Sequence, residues 1–68
     1  MKLLKTIIDL HEGEFGPEWE RIFSAYPNYY CVNGETWVEF DTRDNALLFI
    51  GRRKGWRILH NGKWEMVN

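Results

Sequence analysis

Two periods of apolar spacing alternate along this chain, and each switch marks an element. Between Leu3 and Leu10 both periods fit. Leu4, Thr6, Ile8 and Leu10 alternate as in a strand, whereas Leu3, Leu4, Ile7 and Ile8 share a helical face. The β-branched run Thr6-Ile7-Ile8 favours the strand, with a helix as the alternative. His11 to Gly16 is polar, holds two glycines and reads as a loop. Trp19, Ile22, Phe23 and Tyr26 then recur at helical spacing and predict a helix from Pro17 to Tyr26 with one buried stripe. Pro17 suits the first helical position, Glu18 and Glu20 complement the positive end of the dipole, and Pro27 stops the helix.

The period then shortens to two. Tyr29-Tyr30-Cys31-Val32 and Thr36-Trp37-Val38-Glu39-Phe40 flank Asn33-Gly34, a dipeptide that accepts the positive φ of a tight hairpin turn. From Asp41 to Arg53 the helical period returns. Asp41 is the expected cap, Asp44 completes an acidic capping box, and Ala46, Phe49, Ile50 and Arg53 share a face with Leu47 beside them. Arg52, Arg53 and Lys54 fall at the end where the dipole favours cations, and Gly55 is the expected stop. A buried strand over Leu47–Ile50 is the competing reading. Trp56–His60 and Lys63–Val67 form a second hairpin around Asn61-Gly62, with Trp56, Ile58 and His60 on one face and Arg57 and Leu59 on the other.

The expected order is β-α-β-β-α-β-β. Hairpins joined by helices with one apolar stripe each predict an α+β fold: a small two-layer domain, a mostly antiparallel sheet with two helices on one face. The segment from Trp37 through the second helix to Leu59 is also compatible with a right-handed crossover between parallel strands.

Size sharpens this picture. Sixty-eight residues make a single domain (1–68) whose core is marginal. A lone cysteine leaves no intrachain disulfide, so the eleven Phe, Trp and Tyr rings must supply the burial. Cys31 sits in an apolar run and reads as a small buried hydrophobe, compatible with a reducing compartment. Lys5 and Asp9 interrupt the N-terminal apolar run, which argues against a signal peptide, and no stretch is long enough for a membrane span. These features predict a cytoplasmic protein without a membrane role.

Charge is distributed unevenly. Residues 1–50 carry four basic and nine acidic side chains, a net of −5, whereas residues 51–68 carry five and one, a net of +4. Such polarity points to a charged partner surface more than to a reaction. Asp9, His11, Glu12 and Glu14 lack a ligand motif and read as solvated loop charges, so no metal and no cofactor are expected. His11, His60 and Cys31 have no catalytic spacing, and no nucleophile elbow or phosphate-binding loop is present, so no catalytic residue is nominated.

The candidate partner-binding residues are therefore Arg52, Arg53, Lys54, Trp56, Arg57, Lys63 and Trp64, since Arg and Trp are frequent interface anchors. Tyr29 and Tyr30, adjacent and on opposite sheet faces, are a secondary aromatic surface. The leading expectation is a non-enzymatic protein-binding module that occupies a partner's surface, in the manner of the small inhibitors and modulators that bacteriophages encode. The alternatives are nucleic-acid binding through the basic edge 52–57, with an aromatic ring stacked on a base, and a homodimer through a sheet edge or the Tyr29/Tyr30 face.

Overall fold

The computed structural model describes residues 10–67. The element expected over residues 3–10 therefore lies outside the described residues except for Leu10. The described chain runs β1 (His11–Glu14), α1 (Pro17–Phe23), β2 (Tyr29–Asn33), β3 (Thr36–Phe40), α2 (Arg43–Ile50), β4 (Arg57–His60) and β5 (Lys63–Met66). The α+β class and the order agree with the sequence reading. The first strand is displaced: it occupies His11–Glu14, where the polar composition pointed to a loop. Among the described residues it pairs only with β3 and is exposed along its length, and an edge strand of this kind needs no apolar alternation.

All strand pairs are antiparallel, in the order β1-β3-β2-β4-β5. Neither crossover joins adjacent strands. The β1–α1–β2 connection passes over β3, and the β3–α2–β4 connection passes over β2, so each links parallel strands separated by an antiparallel one. Both step the same way across the sheet but start from antiparallel strands. Crossovers of one hand must then place their helices on opposite faces.

The layering is accordingly α1, sheet, α2 rather than two layers with both helices on one face. Phe23 of α1 packs with Tyr30, Val32, Trp37 and Leu59, flanked by Phe15, Trp19 and Trp64. Ala46 and Ile50 of α2 pack with Cys31, Val38, Phe40, Trp56 and Ile58 on the other face. The two-sided burial explains why Tyr29–Val32 reads as an unbroken apolar run: it is a central strand with a core on each side.

Local signals were mostly obeyed, with shifts at the ends. α2 starts later than Asp41, because Thr42 is the cap and its side chain accepts from the Asn45 N–H at 3.1 Å. It ends at Gly51 (φ +56°), four residues before Gly55, and the strand alternative over residues 47–50 is replaced by helix. The second hairpin turns on Asn61-Gly62 with φ of 52° and 78°, the type I′ pattern. In the first, Asn33 still pairs with Thr36, so the loop is Gly34-Glu35 and positive φ falls on Gly34 alone, as in a type II′ turn.

Candidate functional site

α1 stops at Phe23, one turn earlier than its apolar stripe suggested. Phe23 points into the sheet, its ring stacked on Tyr30 with centroids 3.8 Å apart, and Trp19 stacks on Phe23 at 5.4 Å. Ile22 and Tyr26 do not follow them inward. They are 38% and 55% exposed. Between this half of α1 and strands β1, β3 and β2 runs an open groove of about 500 Å³. Its lining comes from Trp19, Ile22, Phe23 and Tyr26, from Tyr30 and Trp37, and from His11, Glu12 and Glu39.

Trp37 forms one wall, and β1 is shaped to receive it. Gly13 pairs with Trp37, and a Cβ at Gly13 would come within 3.1–3.3 Å of the indole. The glycine therefore lets the ring lie flat across the edge strand. The indole Nε1–H donates to the Glu14 carbonyl at 3.1 Å, which fixes the wall.

Glu39 supplies the charge. It is only 8% exposed, on the face of β3 that looks toward α1. Three side chains reach it: Tyr30 Oη donates to Oε2 at 3.1 Å, Asn28 Nδ2 donates to Oε2 at 2.6 Å, and His11 Nδ1 lies 2.9 Å from Oε1. A carboxylate is acceptor-only, so this contact puts the proton of His11 on Nδ1. Asn28 ties the cluster onward, because its carbonyl meets His60 Nδ1 at 3.2 Å. Burial, together with the neighbouring Glu39 charge, pushes the Tyr30 hydroxyl above its ordinary range and keeps it a donor. Among the described residues, no buried side-chain nitrogen or oxygen lacks a partner. A buried carboxylate with converging donors beside an aromatic-walled groove makes this the candidate site.

The residues nominated by the basic run are not brought together as one patch. Arg52, Arg53 and Lys54 are exposed in the loop after α2 instead of on its last turn. Arg53 is turned back on the helix, donating to the Phe49 carbonyl with its guanidinium 5.1 Å from the Phe49 ring. Trp56 is a core residue, 8% exposed and edge-on to Phe49, because the strand period sends it to the same side as Ile58. Arg57 and Trp64 lie on the α1 face, the guanidinium 3.9 Å above the indole, whose Nε1–H donates to Glu20 at 3.1 Å. Lys63 pairs with His60, on the other face from Trp64.

The two tyrosines are also occupied. Tyr30 is buried beneath Phe23, and Tyr29 is half-buried with His60 stacked on it at 3.8 Å. His11 faces α1, whereas Cys31 faces α2, so the sheet separates them. Burial pushes the Cys31 thiol up to about 12, and the group is neutral near pH 7. Among the described residues, no group of three His, Cys, Asp or Glu side chains forms a metal cage, and no helix is long and apolar enough to cross a membrane.

The groove was missed in the sequence because its parts are distant along the chain. One signal was present: Glu39 is a charge inside the apolar strand Thr36–Phe40. No protein-family model matches this chain, and no curated protein or solved structure does so either.

Proposed function

We propose that the protein is a binding module that acts by occupying the surface of a partner protein, as an inhibitor or modulator and without chemistry of its own. The groove on the α1 face is its docking site. The observation that carries this reading is the exposure of Ile22 and Tyr26 beside an aromatic-walled groove. A small domain with a marginal core leaves large apolar groups in water at a stability disadvantage, and such rims are typical of interaction sites. The polarity of the chain would then tune encounter rate and partner choice.

Nucleic-acid binding is the second reading, and the exposed Arg52–Lys54 loop favours it. It lacks a stacking ring there, since Trp56 is inside the core. A third reading, a homodimer, would use β1 and β5, the outer strands among the described residues.

A photo-crosslinking residue at Tyr26, with the same residue at Leu48 on α2 as the control, separates these readings. Leu48 is comparably exposed but lies on the other layer. A discrete heterologous adduct at Tyr26 and none at Leu48 is expected. Equal labelling at both positions, or none, would count against the groove, and an adduct of twice the chain's own mass would move the homodimer to first place.

A further inference from the structure

We infer that the groove receives an arginine side chain of the partner protein, with Glu39 as its counter-ion; this rests on the groove being the docking site. Glu39 is a buried carboxylate, and no Lys or Arg is among the residues lining the groove. Burying a carboxylate is costly unless it is paired; Tyr30 and Asn28 give Glu39 neutral hydrogen bonds, and His11 is a counter-ion only when protonated. Two of these fall on Oε2 and one on Oε1, so Oε1 has room for another donor.

His11, which holds Oε1, has a side chain 73% exposed on an edge strand and can swing outward without disturbing the core. Trp19, Trp37 and Tyr26 give flat faces on the way in. A guanidinium suits both parts of such a site, because it stacks on aromatic rings and forks onto carboxylates. The chain uses the stacking half of this chemistry internally, with the Arg57 guanidinium over the Trp64 indole. An acyl chain or neutral apolar residue would fill the walls but leave Glu39 further desolvated. A phosphate would meet the Glu39 carboxylate.

The test is an NMR titration of the full chain with a blocked Leu-Arg-Leu peptide and its citrulline counterpart, which keeps the shape and removes the charge. The arginine peptide is expected to move the indole N–H signals of Trp19 and Trp37, and the citrulline peptide to bind about tenfold more weakly or worse. Glu39→Gln should bring the arginine peptide down to the citrulline level. Tyr26→Ala, on an exposed position that folding does not require, should weaken the arginine peptide several-fold and guards against loss of fold in the first variant.

Equal binding of both peptides in the groove would overturn the arginine assignment and leave the docking site standing. If neither peptide moves these signals while the Tyr26 crosslink still captures a partner, the arginine assignment falls alone. If the crosslink fails as well, both fall.

Discussion

Two acids buried on opposite sides of the sheet set how the protein responds to alkali. Cys31 lies under α2 with its thiol pushed from near 9 to about 12 by desolvation, and Tyr30 lies under α1 with its hydroxyl raised by burial and by Glu39. Both folded values exceed the unfolded ones. Between the two values the unfolded chain has lost the proton while the folded chain retains it, so unfolding is favoured as pH rises. Each group's contribution is therefore intact below its unfolded value and is lost above it, from about pH 9 for Cys31 and about pH 10 for Tyr30. Urea unfolding between pH 8 and 11 should show stability falling along this limb. Cys31→Ala should flatten the early part and Tyr30→Phe the later part, and a flat wild-type profile would contradict both assignments. The burial of Cys31 was legible from its apolar neighbours. That of Tyr30 was not, because adjacent tyrosines on a strand look alike until it is known that both faces are covered.

At the scale of elements, most of what could be read locally was right, and the errors fall where tertiary contacts decide. Helix ends, for example, are fixed by single hydrogen bonds. Asp41 and Thr42 are both good caps by type, and Thr42 is the one whose hydroxyl accepts the Asn45 N–H, while Asp41 accepts from the Asn45 side chain. Thr42→Ala should therefore cost about 1 kcal/mol, seen as a lower urea midpoint at unchanged slope. Asp41→Ala should cost clearly less, and the reverse ranking would move the cap. β1 was hidden for a different reason. His-Glu-Gly-Glu has no strand pattern, and it pairs because β3 offers it a free edge and Gly13 lets Trp37 lie across it. The α1 stripe was read correctly as apolar, but burial ends at Phe23, and the part that stays outside is the rim of the groove.

For the whole molecule, the charge polarity and the layering must be taken together. The acidic side chains of residues 1–50 include Glu18, Glu20 and Glu39 on or beside the α1 face, where Arg21 and Arg57 also lie, whereas the Arg52–Lys54 loop leaves from the far end of α2. On the proposed reading, a cationic partner would be drawn to Glu39 in the groove and an anionic one to that loop, at separate sites. The basic edge looked like one site in the sequence because Arg52 to Arg57 are contiguous. The fold breaks it by sending Trp56 inward and Arg57 to the α1 face. What remains for nucleic acid is three cations and no ring. Three phosphate contacts on duplex DNA give a slope of about −2.7 in log affinity against log salt, with no stacking contribution to hold the complex as salt rises. Anisotropy with labelled DNA and RNA should accordingly show weak binding at ~50 mM salt that vanishes by ~150 mM and is abolished by Arg52/Arg53/Lys54→Ala. That triple variant should retain full binding of the arginine peptide in the groove. Nucleic-acid binding that survives ~150 mM salt, or a groove that fails in the triple variant, would mean that the two charged regions act as one surface after all.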